Sequence, residues 1–109
     1  MKTESRLLLL YAGWWSTLAI VIRGRLIDTI SVMPPESPKD IALLLLERPF
    51  LKEVRKVVVR SPRPRWEEDM HAILGPTVLE ETSLPQWIEA IAGFAASLDR
   101  EIGLLHGVA

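Results

Sequence analysis

The chain has 109 residues, enough for one hydrophobic core, so we expect a single domain over residues 1–109. Its composition, 49% hydrophobic and 25% charged, is that of a globular protein, and a net charge of −1 gives no overall attraction to nucleic acid or anionic membranes. The absence of cysteine excludes disulfide frameworks, thiolate catalysis and cysteine zinc sites.

The first apolar segments predict two strands joined by a turn of small residues. Arg6 to Tyr11 is apolar on both faces, which is typical of a central strand covered on two sides. Thr17 to Ile22 is apolar and partly β-branched, and Gly13 lies in the turn between the two segments. The uncharged stretch Leu7 to Ile22 leaves a membrane helix or a signal segment as an alternative. That stretch is shorter than the roughly 20 residues a spanning helix needs, and no small-residue cleavage pattern follows it.

The third predicted strand follows a tight hairpin. Gly24 tolerates the positive φ that such a turn requires, and Leu26 to Val32 then forms the strand. Alternation places three apolar side chains of this strand on the face of Asp28: Leu26, Ile30 and Val32. A carboxylate at this position favours an edge strand whose face is partly exposed to solvent. The alternative is a buried carboxylate with a partner.

Capping residues and prolines divide the rest of the chain into helix, strand, helix, strand and helix. Ser37 is the predicted N-cap of the first helix, whose nearly continuous apolar run indicates cover on more than one side. Short strands are predicted at Val57 to Val59 and at Thr77 to Glu81, with a helix between them that begins near Pro64. The inner stripe of that helix consists of large apolar residues: Trp66, Met70, Ile73 and Leu74. The last helix follows a cap signature at Ser83.

Three strands followed by helix, strand, helix, strand and helix is the layout of the ribonuclease H-like fold. The Gly13 turn with Ser16-Thr17, the hairpin from Arg23 to Leu26 and the run Val57 to Pro62 resemble a half unit of actin-like ATPases, including pilus-assembly and type II secretion proteins. The resemblance implies an α/β fold with a five-stranded mixed sheet, element order βββαβαβα and helices on both faces. The first turn and the hairpin are similar to the phosphate-binding hairpins of that superfamily.

Two positions depart from what those families use for chemistry. Tyr11 stands where they carry the aspartate that organises metal and water, and Ser61-Pro62 stands where a glycine pair approaches adenosine. Nucleases of this fold need several carboxylates around divalent metal, yet only Asp28 lies in the three-strand ribbon. We therefore expect no catalytic residue, no metal site and no cofactor. A metal-dependent phosphoryl-transfer or nuclease activity is the alternative.

Two clusters are candidate contact sites. Trp14 and Trp15 are adjacent in a turn, and neighbouring side chains on extended backbone point to opposite sides, so at least one is expected at the surface or in an interface. Together with Asp28 they are the predicted partner-binding residues. The second cluster could contact phosphate or nucleic acid: Ser16, Thr17, Arg60, Arg63, Arg65 and Trp66. A solvated loop is the alternative for its basic part.

These patterns favour a non-enzymatic interaction or assembly module that pairs with itself as a homodimer or with a larger assembly protein. A nucleotide- or nucleic-acid-binding protein that uses the 13–17 turn and the 60–66 basic loop is the alternative. We expect a cytoplasmic protein without a membrane span.

Overall fold

The computed structural model describes residues 6–48, 54–75 and 85–105. The elements in chain order are strands β1 (Arg6–Ala12), β2 (Thr17–Arg23) and β3 (Leu26–Met33), helix α1 (Pro38–Leu46), strand β4 (Val54–Arg60), and helices α2 (Trp66–Leu74) and α3 (Gln86–Leu105). The strands form one mixed sheet in the order β3-β2-β1-β4. β2 is antiparallel to both β1 and β3, whereas β4 is parallel to β1. The fold is therefore α/β.

The predicted five-stranded sheet and its βββαβαβα order are wrong. The sheet formed by the described residues has four strands, and their element order is βββαβαα. Thr77 to Glu81, the predicted fifth strand, lies outside the described residues. Its sequence offers one adjacent apolar pair, Val78-Leu79, before two acids, which is weaker evidence for a buried strand than the three valines of Val57 to Val59.

Helices cover the two faces of the sheet, and β1 is central, as predicted. Leu8 and Leu10 of β1 point to the face covered by α1 and α2, where they pack with Met70. Leu9 points to the opposite face and packs in a second cluster with Ala95 of α3. Because successive side chains of a strand alternate between faces, the continuous apolar run of β1 supplies both cores.

β3 lies at the edge of the sheet, as predicted from Asp28. Some of its side chains point to a different face from the one that simple alternation predicts. The pairing register with β2 shifts by one residue near the hairpin, which makes Asp28 the extra residue of a β-bulge. Three apolar side chains of β3 therefore share the face on which α3 packs: Ile27, Ile30 and Val32. Leu26 lies opposite Arg23 on the other face, so its predicted placement beside Ile30 and Val32 is wrong.

Helix α1 begins as predicted but is covered less than predicted. Ser37 is its N-cap, and the side-chain oxygen accepts a hydrogen bond from the backbone N–H three residues later. The helix buries Ile41 and Leu45 against the sheet. Leu43 and Leu46 are exposed, so the expectation of cover on more than one side is wrong.

Helix α2 begins at Trp66, two residues after the predicted start at Pro64. The exposed residue Arg65 precedes it with a left-handed φ of 66°, and no side-chain hydrogen bond caps the helix. Trp66 and Met70 are buried, as predicted. Ile73 is exposed, so its assignment to the inner stripe is wrong.

The stretch Leu7 to Ile22 forms β1, the following turn and β2, so the membrane-helix alternative for it is wrong. Within residues 6–48, 54–75 and 85–105, no helix has the length and apolar character needed to cross a membrane.

Candidate functional site

The turn between β1 and β2 is held by a carboxylate from the far end of the sequence. Asp99 lies on α3 with only 3% of its surface exposed. The backbone N–H groups of Trp14 and Trp15 donate to its two oxygens at 3.0 and 3.1 Å, and Ser16 Oγ donates at 2.8 Å. We call Gly13 to Ser16 together with Asp99 the Asp99 clamp. The donors of this turn bind the protein's own carboxylate.

Two glycines permit this close approach of turn and helix. A Cβ added to Gly13 would overlap the Asp99 carboxylate, and one added to Gly103 would lie 2.6 Å from Cδ2 of the Trp15 indole. The Gly13 N–H also donates to the carbonyl of Ser16 at 2.8 Å, which closes the turn. The absence of a side chain at both positions is therefore a requirement of the packing.

Tyr11, which occupies the position of the expected metal-organising aspartate, is a neutral neighbour of the clamp. Burial raises the pKa of its phenol, the negative charge of Asp99 raises it further, and Arg100 acts in the opposite direction. The end of β1 therefore presents an uncharged hydroxyl, and the buried charge of this region is the Asp99 carboxylate.

The two hydroxyl residues predicted to contact phosphate are both buried in the fold. Ser16 is committed to Asp99, as described above. Thr17 Oγ1 donates to the carbonyl of Pro34 at 2.9 Å, which ties the start of β2 to the segment after β3. Both side chains therefore serve internal hydrogen bonds that an external anion would have to break.

Trp66 and two arginines of the predicted basic loop contact the rest of the protein, whereas Arg65 is exposed. The Trp66 indole is buried, and its Nε1 donates to the carbonyl of Glu36 at 3.1 Å. Arg63 donates to the same carbonyl at 3.1 Å. Arg60 lies 3.5 Å from the carboxylate of Glu89. The indole that was predicted to stack on a base is thus unavailable without local rearrangement.

The remaining predicted residue, Asp28, lies in the bulge of β3. Arg6 Nε donates to Asp28 Oδ2 at 3.1 Å, reaching across β2 from β1. This ion pair within the chain balances the one charge that β3 carries. The sheet edge is therefore electrostatically neutral along its length.

An apolar surface runs along this edge and reaches the first turn. We call it the β3 surface, and its exposed members are Trp14, Ile27, Ile30 and Val32; the exposed Leu26 lies on the opposite face of the same strand. Leu26 is 68% exposed, and Trp14 and Val32 are 54% and 55% exposed. A groove of about 470 Å³ lies where β3 meets the turn, between Trp14, Val32, Pro34 and Ile102. Large apolar side chains exposed along an edge strand are typical of an interaction site.

At least one of the two tryptophans is at the surface, as predicted: Trp14 is exposed, whereas Trp15 is partly buried against α3. Sequence reasoning missed Asp99, the residue that positions both of them. One signal was present in the spacing: Asp99 lies one helical turn after the buried Ala95 and one turn before Gly103, on the inner stripe of α3. A charged residue in that stripe indicates a buried polar partner.

The described side chains include no group of three or more histidine, aspartate or glutamate residues placed to hold a metal ion. Comparison of the chain with protein-family models, with characterised proteins and with solved structures finds no match. The resemblance to ribonuclease H-like and actin-like proteins therefore stays a prediction from the sequence.

Proposed function

We propose that this chain is a non-enzymatic, cytoplasmic interaction module that self-associates by pairing the β3 edges of two copies. The observation that carries the proposal is β3 itself, an edge strand of eight residues with four large apolar side chains exposed. The unpaired N–H and C=O groups of such an edge accept another strand, and burial of the apolar side chains drives the association.

The charge pattern favours a second copy as the partner. The chain has a net charge of −1, so two copies repel each other weakly. Asp28 is the one charged residue of β3, and its ion pair with Arg6 compensates it. Natural edge strands avoid pairing by lysines, prolines, several charges or β-bulges, and of these β3 has the bulge at Asp28 but no lysine, no proline and no second charge.

The Asp99 clamp supports a structural role for the first turn. Phosphate binding at this turn would require displacement of a buried carboxylate that is held by three hydrogen bonds. Base stacking on Trp66 would require exposure of a buried indole. We therefore expect no quenching of tryptophan fluorescence by nucleotide or oligonucleotide with Mg²⁺ present. Quenching that weakens with added salt would favour the nucleic-acid alternative.

Sedimentation equilibrium over a wide range of protein concentration tests the proposal. Val32→Lys places a charge on the β3 surface, and Leu43→Lys is its matched control, because both side chains are 55% exposed but Leu43 lies on α1. We expect the wild type to self-associate, Val32→Lys to be monomeric and Leu43→Lys to behave as the wild type. A wild-type protein that stays monomeric at high micromolar concentration would refute self-association and leave a larger assembly protein as the partner.

A further inference from the structure

One end of the sheet carries basic side chains from several strands and from the β2–β3 hairpin. We infer that this end is a contact site for the anionic headgroups of a lipid bilayer, with the exposed Leu26 as its apolar component. The residues concerned lie at the amino ends of β1 and β4 and at the hairpin, away from the apolar β3 surface. The inference therefore goes beyond the proposed self-association and does not depend on it.

The strand pairing places these residues in one row across the sheet. Arg23 at the end of β2 lies directly opposite Arg6 of β1, and Leu26 of β3 lies directly opposite Arg23. On its other side, Arg6 pairs with Val54, the first residue of β4. Because neighbouring strands lie about 4.8 Å apart, the row from β3 to β4 is roughly 15 Å wide. The basic residues of this row are thus close enough to act on the same anionic surface.

Both edge strands of the described sheet have a bulge at this end. In β3 the extra residue is Asp28. In β4 it is Arg55, because the partners of two consecutive β1 residues are Val54 and Lys56. Bulges interrupt regular pairing and change the direction of a side chain. Arg55 and Lys56 are both exposed, so the start of β4 adds two cations to the end of the sheet.

Most of these cations have no acidic partner. Four of them are exposed and form no ion pair with any described residue: Arg23, Arg25, Arg55 and Lys56. Among the described residues of these strand ends the one acid is Asp28, and it is bound to Arg6 at 3.1 Å. Like charges directly opposite each other destabilise a strand pair, so the opposition of Arg6 and Arg23 is unfavourable. Contact with an anionic surface would relieve this repulsion.

The hairpin adds an apolar side chain to the cations. Eight consecutive residues, from Arg23 to Ile30, are exposed, and Leu26 is 68% exposed beside Arg25 in the turn. At a membrane interface an apolar side chain enters the acyl boundary while a neighbouring arginine stays among the headgroups. A site for single-stranded nucleic acid would instead present aromatic side chains for base stacking. The described hairpin and strand ends contain none, which favours lipid over nucleic acid.

The cations lie on both faces of the sheet. Arg23 points to the face covered by α1, because Val21, two residues earlier in β2, packs in the cluster of that face. Lys56 points to the face covered by α3, because its partner Leu7 packs in the opposite cluster. A peptide bound on one face would contact only part of this set. A flat surface that lies across the strand ends contacts all of it, and a bilayer is such a surface.

Co-sedimentation of the full chain with phospholipid vesicles tests the inference. We expect binding to vesicles that contain equal parts of phosphatidylserine and phosphatidylcholine, and none to vesicles of phosphatidylcholine alone. Added salt should weaken the binding, because it screens the attraction between cations and headgroups. Failure to bind either vesicle, or equal binding to both, would overturn the inference. Binding to a single-stranded oligonucleotide without binding to vesicles would overturn it in favour of nucleic acid.

Arg25→Glu tests whether the hairpin makes the contact. Its affinity for the phosphatidylserine vesicles should fall at least about fivefold, because each cation near an anionic bilayer contributes about that factor. Arg65→Glu is the matched control, since it changes the net charge equally at an exposed arginine beyond the carboxyl end of β4. It should bind as the wild type does. Equal losses in the two variants would show an effect of net charge alone and contradict a site at the hairpin.

Leu26→Ser tests the apolar component without a change in charge. We expect the affinity for the same vesicles to fall about tenfold, because the leucine side chain no longer enters the acyl boundary. The loss should persist when the salt concentration is raised, in contrast to the loss in Arg25→Glu. Circular dichroism of both variants confirms that they are folded. Wild-type affinity in folded Leu26→Ser would overturn the role of Leu26 in the contact.

Discussion

The two turns of the β1–β2–β3 ribbon are stabilised in different ways. The β2–β3 hairpin is local: Gly24 adopts a φ of 64°, and Arg23 pairs directly with Leu26. The β1–β2 turn is held by α3, with Ser16 and Asp99 separated by 83 residues in sequence. The first kind of turn can form wherever its two strands meet, whereas the second depends on the docking of a helix.

The β1–β2 turn also shapes one end of the β3 surface. The Asp99 clamp fixes the backbone of Trp14 and Trp15, and Trp14 forms one wall of the groove at the end of β3. A substitution in the clamp should therefore disturb both the stability of the fold and the shape of the groove. A substitution in the β2–β3 hairpin should act on the local chain alone.

The largest effect is expected for Asp99→Ala. The change leaves two backbone N–H groups and the Ser16 hydroxyl without their acceptor in a buried place, which we expect to cost about 3 kcal/mol in the free energy of unfolding. Glu101→Ala on the exposed side of the same helix is the control, and it should change stability by less than about 0.5 kcal/mol. Chemical denaturation measures both. Equal, small losses in the two variants would show that the clamp contributes little.

Gly13→Ala should destabilise the fold by about 2 kcal/mol, because the new methyl group overlaps the Asp99 carboxylate. The cause can be isolated by a double-mutant cycle with Asp99→Ala, since removal of the carboxylate makes room for the methyl group. We expect Gly13→Ala to cost much less in that background. Additive losses in the double variant would place the strain elsewhere in the turn.

Gly24→Ala should lower the free energy of unfolding by about 1 kcal/mol, because the left-handed conformation at this position is unfavourable for alanine. The effect should be the same with or without the Asp99 carboxylate, in contrast to Gly13→Ala. Thermal or urea unfolding of the single and double variants checks this. A strong dependence on Asp99 would mean that the two turns are coupled and that the contrast between them is incorrect.

The smallest effect concerns Tyr11, the one tyrosine of the chain. Its pKa is raised first by burial and second by Asp99, so the protonated phenol is favoured in the folded state. Its contribution to stability is complete below the pKa of the unfolded chain and is lost as the pH rises through the folded value. Phenolate absorbance should therefore show a midpoint that decreases in Asp99→Ala. An unchanged midpoint would separate Tyr11 from the clamp.

The β2–β3 hairpin and the start of α1 could be predicted from the sequence, because both depend on local residues. Gly24 predicted the hairpin, and Ser37 predicted the start of α1, because turns and caps depend on a few neighbouring residues. The clamp could not be read in the same way, since nothing near Ser16 in the sequence indicates Asp99. The position of Asp99 on the inner stripe of α3 shows that it is buried but does not identify its partner.

The errors in the fold have similar causes. The bulge at Asp28 depends on how β2 and β3 pair, so alternation assigned Leu26 to the wrong face. The fifth strand was predicted at Thr77 to Glu81 from a short segment with one adjacent apolar pair, which is weak evidence for a buried strand. The exposure of Leu43 could not be predicted from the apolar run. Such a run shows that the side chains are apolar, but it does not show whether other elements pack against them.

Hydrogen–deuterium exchange at low and high protein concentration tests the central claim that two copies meet at β3. The account predicts that amides of β3 become protected as the concentration rises, because their outward N–H groups gain partners, while amides of the central strand β1 exchange at the same slow rate throughout. Protection that rises in another element, or β3 amides that exchange equally fast in a protein shown to be dimeric, would contradict it.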